Sequence, residues 1–221
     1  MKDTLTMPVA VIITGVIIAG AIMYTNTPSN TPPSQEDIEL RPVDETDHIL
    51  GNKDAEITIV EFSDTECPFC KNFHDTMNQT VTAYDGKVAW VYRHFPIDQL
   101  HSKARKEAEA TECAAELGGN EGFWNYMNRL MEITPSNNGL ELALLPTIAE
   151  EIGLNKGAFE KCLDSGKYAE KIESQVQEAI KAGAQGTPYS VVINGDGELI
   201  PIPGGAVPYE SLKQGLDEML K

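Results

Sequence analysis

Basic residues are scarce: 17 Lys and Arg stand against 34 Asp and Glu, for a net charge of −17. Such a chain repels phosphate, which excludes nucleic acid as a partner. Cysteine is scarcer still, confined to Cys67, Cys70, Cys113 and Cys162. There is one Cys-x-x-Cys pair and no second, so a zinc site built on it would lack its other ligand pair. No cysteine lies near the N-terminus, which excludes a lipid attached there. The four histidines (His48, His74, His94, His101) do not cluster in sequence, and each reads as structural or surface. No internal repeat of useful length is present.

Charge is absent from Met7 to Tyr24, a run that is almost wholly apolar. At roughly 18 residues it can just span a bilayer core. A secretory signal has a shorter apolar region followed by a small-x-small site. Ala19-Gly20-Ala21 fits such a site, but the apolar run continues through Ile22-Met23-Tyr24. An uncleaved anchor over residues 1–25 is the favoured reading and a cleaved signal the alternative; both export the rest of the chain. The flanking charges, Lys2 against Asp3, orient it only mildly. Asn26–Ser34 is rich in proline and poor in hydrophobics, and an acidic stretch follows it to about Asp47. Residues 26–46 are therefore expected to form a disordered linker.

The most informative segment is Cys67-Pro68-Phe69-Cys70. Upstream, Ile57–Phe62 reads as a buried strand; downstream, the residues to about Tyr84 read as a helix. The pair thus sits at a helix N-terminus, where unpaired N–H groups and the helix dipole favour a thiolate. That context points to thiol–disulfide exchange, with Cys67 as nucleophile and Cys70, one turn deeper, resolving the mixed disulfide. Pro68 suits the first helical turn. A fixed disulfide or half a metal site are the alternatives.

Strand and helix signals then alternate. Val88–Tyr92 is a second strand. Ser102–Leu117, stopped by Gly118-Gly119, is helical, as are Gly122–Glu132, Leu142–Ile152, Lys156–Leu163 and Tyr168–Ala182. Tyr189–Ile193 and Glu198–Ile202 flank a turn at Asn194-Gly195-Asp196-Gly197, and Pro208–Leu220 closes the chain as a helix. The fold class is α/β: a βαβ unit, an all-helical insert over 99–182, then ββα, with the main domain formed by 47–98 and 183–221.

This order, with Leu50–Ala55 before the first strand, Cys-Pro-Phe-Cys, Glu112-Cys113-Ala114-Ala115, Cys162–Gly166 and Gly186-Thr187-Pro188, resembles the DsbA-like thiol–disulfide oxidoreductases, members of the thioredoxin-fold superfamily. The resemblance covers about four-fifths of the chain and omits the anchor and linker. It implies several roles. Glu61, six residues before Cys67, is a buried acid beneath the cysteine pair, which accepts the Cys70 proton during exchange; the alternative is an edge-of-strand surface glutamate. Thr187-Pro188 is a cis-proline loop whose backbone pairs with substrate. Cys113 and Cys162 form a structural disulfide in the insert, or remain two buried thiols. In strongly oxidising relatives a histidine occupies the place of Phe69; Phe69 cannot donate that hydrogen bond, which puts very strong oxidising power in doubt.

The resemblance further implies a monomeric oxidoreductase that uses its redox-active disulfide and needs no metal or organic cofactor. Expected partners are unfolded or partly folded exported proteins, a membrane redox partner, and the membrane itself through the N-terminal helix. The catalytic domain is expected on the extracytoplasmic side of the cell membrane, or in the periplasm or medium if the N-terminal segment is cleaved. The favoured direction is disulfide donation. A reductase or isomerase of the same fold, or a non-redox chaperone-like binding module, are the rivals.

Overall fold

The structure, a computed structural model, describes residues 38–221; the expected anchor and most of the expected linker lie outside them. Five strands form one mixed sheet: β1 His48–Leu50, β2 Ile57–Ser63, β3 Val88–His94, β4 Tyr189–Ile193 and β5 Leu199–Pro201, in the order β1-β3-β2-β4-β5. Only β2 and β3 run parallel; the other three pairings are antiparallel. Helix α1 (Pro68–Ala83) makes the crossover from β2 to β3, as a parallel pair requires.

The central strands read as near-continuous apolar runs because both sheet faces are covered. Period-two alternation divides them. Ile57, Ile59, Val88, Trp90, Tyr92 and Val192 face α1 and the closing helix α6 (Tyr209–Met219), with Phe73, Met77, Leu212 and Leu216. Val60, Phe62, Val91 and Val191 face the other way, onto Ala179 and Ala182 at the end of α5 (Ala169–Lys181). The alternation puts Glu61 on the α1 side of the sheet.

The insert is helical, as expected. Helix α2 spans Ala104–Ile133 but breaks at Gly119 (φ 64°, ψ −158°), where the Gly118-Gly119 stop is read in the sequence. Gly122 then packs so closely that a Cβ would lie 2.6 Å from the Ala114 carbonyl, so a side chain there would push the two halves apart. The single helix expected over Leu142–Ile152 is a 3₁₀ turn, Leu142–Leu144, followed by α3, Leu145–Glu151. Pro146 sits in the first turn of α3, where its missing N–H leaves no bond unmade. Helix α4 (Lys156–Ser165) starts from an Asn155 side chain that accepts from Ala158 N–H. Cys113 on α2 and Cys162 on α4 are disulfide-bonded, with Cα atoms 5.8 Å apart. The bridge sits in the insert's own core with Tyr126, Leu130, Ile148 and Phe159. A bridge closing a loop of 49 residues stabilises by about 4 kcal/mol on the chain-entropy account.

One expectation fails. The linker expected over 26–46 gives way by Ile38 to chain packed on the fold: Ile38 is buried, and Leu40 and Val43 pack against the same core as Val60 and Phe62. The acidity that suggested solvent exposure has partners. Arg41 binds Asp47 and Glu178, and the wholly buried Arg93 donates to both as well. β1, not recognised in the sequence, continues this segment as an edge strand on β3.

Candidate active site

Cys67 is the N-cap of α1, with Pro68 in the first turn. Its backbone N–H donates to Asp64 O, and its carbonyl accepts from Lys71 N–H. The side chain is only 5% exposed, and that of Cys70 is sealed. Both are free thiols. The two differ sharply in acidity. The Cys70 thiol donating toward Cys67 Sγ, with the Cys70 and Phe69 backbone N–H groups and Thr187, pulls Cys67 down to about 6 against the opposing effect of burial. Burial, then the neighbouring Cys67, pushes Cys70 well up. One thiol is therefore ready to be an anion at neutral pH while the other holds its proton.

Thr187-Pro188 closes the site from the far end of the chain, immediately before β4. The bond is cis, and the Cys67 thiol lies 3.5 Å from the Thr187 carbonyl oxygen, to which it donates. Phe69, between the cysteines, is 63% exposed and offers an apolar face to solvent. It carries no polar atom, as the departure from histidine implies.

Glu61 is fully buried, with neither carboxyl oxygen bonded to a protein donor. Strand register sets Tyr92 on one side of it and Ser190 on the other. Burial pushes its carboxyl up to about 8, opposed by the nearby Ser63 and Trp90 donors. Its charge also bears on Cys70 and Tyr92. The hydroxyls of Ser63, Tyr92 and Ser190 and the Trp90 indole N–H are likewise without a tight partner. Beneath Cys70 there is thus a buried cluster of polar groups whose one acid is neutral at pH 7 and able to give or take a proton.

Asp64 was not legible as a site residue. Its N–H donates to Cys70 Sγ at 3.5 Å, and its carboxylate accepts from Ile97 N–H and pairs with His101. An aspartate closing a strand just before a helix start is the signal that was there to read. His74, one turn past Cys70, pairs with Asn128 on α2; burial lowers its affinity for a proton, so it is a neutral packing group. His48 and His94, far apart in sequence, converge on the buried Glu112 carboxylate at 3.0 and 3.2 Å, with Lys171 at 2.7 Å. This knot joins sheet to insert. Among the described residues, no group of His, Cys, Asp or Glu is arranged to hold a metal ion.

A family model described as thioredoxin matches residues 43–218. The chain belongs to the thioredoxin family. Within it, this thioredoxin-family chain is DsbA-like. DsbA2 of Pseudomonas aeruginosa superposes with a TM-score of 0.66 at 25% identity, over 81% of this chain and 96% of that one. A thioredoxin-like oxidoreductase from Silicibacter pomeroyi gives 0.64 at 28%, over 79% and 92%. Oxidised BdbD of Bacillus subtilis shares the fold with a TM-score of 0.69 at 24% identity, over 83% and 98%. Similarity also extends to a segment of the Na(+)/H(+) antiporter NhaA 3 of Salinispora tropica, 33% identical over 155 residues, 70% of this chain. The chain spans 22–30% of the length of the curated relatives it matches. The thioredoxin-family chain is thus a disulfide oxidoreductase by fold and by motif.

Proposed function

We propose that the protein is an extracytoplasmic, membrane-tethered disulfide donor for exported proteins. The observation that carries the direction is the asymmetry of the pair, with Cys67 pulled down to about 6 and Cys70 pushed up. A stabilised Cys67 thiolate favours the reduced enzyme, and so makes the disulfide form an oxidant.

A substrate thiolate attacks Cys67 Sγ; the Cys67–Cys70 bond breaks, and Cys70 leaves with the electron pair. Its high proton affinity calls for a proton at once, and neutral Glu61 gives it. The Thr187 backbone holds the substrate chain in extended pairing, and Phe69 supplies apolar contact. A second substrate thiolate then attacks the substrate sulfur of the mixed disulfide, and Cys67 leaves as a thiolate. The substrate gains a disulfide, and the enzyme keeps two electrons, which a membrane redox partner must remove. The apolar run at Met7–Tyr24 supports the tether. Phe69, in place of a polar donor, favours a second reading, a reductase of the same fold.

The reduction potential of the Cys67–Cys70 pair, taken by equilibration with glutathione buffers, separates the two. A strong disulfide donor such as DsbA stands at about −120 mV, and a reductant such as thioredoxin at about −270 mV. A potential nearer the first supports disulfide donation, and one nearer the second overturns it in favour of reduction.

Glu61 carries a prediction of its own. Between about 4.5 and 8 the folded chain keeps a proton on Glu61 that the unfolded chain has lost. Stability therefore falls as pH rises through that window and levels off above it. Glu61→Gln should remove this slope and gain on the order of 4 kcal/mol at pH 8, while slowing resolution of the mixed disulfide. Urea unfolding at pH 5 and pH 8, with stopped-flow exchange, reads both; an unchanged stability slope would refute the assignment.

A further inference from the structure

A second pair of buried acids lies beside the cysteines, unused by the steps above. Glu66 immediately precedes Cys67, and Glu107 stands in the first turn of α2; both are fully buried. Glu66 is fastened to the loop after α2: its carbonyl accepts from Asn137 N–H, and its Oε2 accepts from Asn138 N–H. Its Oε1 has no donor, and neither has either oxygen of Glu107. The Glu107 carboxyl nevertheless faces the Glu66 carboxyl closely enough for the two to act on each other.

Two carboxylates in this position have only acceptors to offer each other. Among the described residues, no Lys, Arg or His side chain pairs with either. The groups around them do not supply the missing charge. On the preceding loop, Asp64 adds a negative charge, and Cys67 adds another as thiolate. From residues 97–103, His101 is taken by Asp64, while Lys103 reaches Leu140 O and Glu141. On α1, Lys71 is taken by the Glu132 and Thr134 carbonyls. On α2, Tyr126 donates to Leu145 O. A single proton removes the conflict, because it turns one acceptor into a donor and the repulsion into a hydrogen bond.

We propose that Glu66 and Glu107 share one proton, and that this bond ties the loop carrying Cys67 to the helical insert. Glu107 is then a positioning residue for exchange, acting through Glu66. Burial, then Glu66, pushes Glu107 up to about 9, so the tie holds at neutral pH and parts in alkali. When it parts, two like charges with no cation between them drive the Cys67 loop from α2 and open the site. The inference rests on Cys67 as the attacking thiol.

The test is the rate of iodoacetamide alkylation of Cys67 in the full chain, followed from pH 4 to pH 10. Wild type should show a rise with midpoint near 6 as the thiolate forms, then a second, several-fold rise near 9 as the loop opens. Glu107→Gln carries a permanent N–H donor in place of the shared proton. It should keep the first rise, stay within twofold of wild type at pH 7, and lose the second. Glu107→Ala loses the tie without gaining the repulsion, so it should react faster than wild type at pH 7 and show no second rise. Infrared spectra at pH 7 should show one protonated-carboxyl band fewer in Glu107→Gln than in wild type. A second rise that persists in Glu107→Gln, or is missing from wild type, overturns the shared proton; an unchanged infrared band count does the same should the alanine variant fail to fold. Absence of the rise near 6 instead overturns the assignment of Cys67, and this inference with it.

Discussion

Serine at position 67 is expected to reduce thiol–disulfide exchange to the uncatalysed background, whereas serine at position 70 is expected to leave a protein that attacks but cannot finish. The difference follows from where the two sulfurs sit. Cys67 keeps a sliver of exposure at the helix cap, whereas Cys70 is sealed above Glu61. At pH 7 a thiol titrating at about 6 rather than the ordinary 9 carries roughly ninety times as much thiolate. Nucleophilicity falls with basicity by about sixteen- to thirtyfold over the same span, so as an attacker Cys67 gains only about fourfold. The larger benefit comes when Cys67 is the leaving group, since a low pKa there is favourable without an offsetting penalty. The geometry therefore serves release of Cys67 from a mixed disulfide more than its attack. Cys70→Ser should accumulate mixed disulfides, seen as reductant-sensitive adducts on non-reducing gels, and Cys67→Ser should show none. Equal adduct formation by both variants would refute the division of roles.

The second large effect is structural. Arg93 is completely buried on β3 and donates to Asp47 and Glu178, as well as to the Arg41 and Pro42 carbonyls. Burial alone would raise Asp47; Arg93 and Arg41 overrule it and hold that carboxyl below its ordinary value. Arg93→Leu leaves Asp47 and Glu178 to share the partly exposed Arg41, with backbone N–H groups of Asp44 and Arg41 as their further donors. Breaking a buried pair in this way costs about 3–5 kcal/mol, a large share of the roughly 5–15 kcal/mol that holds a domain folded. The sign with pH is fixed. In wild type the depressed Asp47 contributes stability that is present above the ordinary carboxylate range and lost as pH falls through its folded value. In the variant that contribution is largely gone, so the deficit should be full at pH 7 and narrow only below the ordinary 3.8, toward pH 2. Denaturant unfolding at the two pH values checks it, and a deficit independent of pH would sink the account.

Those two sites mark how far the sequence could be read. Cys67 and Cys70 were legible because their chemistry is local: a strand end, a helix start and a two-residue spacing all fall within about twenty residues. Glu61 was legible through the resemblance, which implies a buried acid six residues before Cys67, with support from a strand covered on both faces. Pairings across the chain left no such trace. Glu112 meets His48 and Lys171 over 64 and 59 residues, and nothing in their local sequence marks them as partners. The stretch from Ile38 to Asp47 misled for a related reason. Acidic residues usually face water, and only the folded position of Arg93 turns Asp47 into a buried counter-ion.

Cys67 and the Thr187 carbonyl that meets it are 120 residues apart, and β4, the antiparallel neighbour of β2, follows that loop directly. A chain made from its N-terminus thus delivers both active thiols long before the segment that screens them. Until then the pair stands on an unfinished sheet, with β2 bare along one edge. The 35 residues from Thr187 onward therefore act as a guard on the reactive pair, and a polypeptide released before Thr187 would present its thiols to any partner without discrimination.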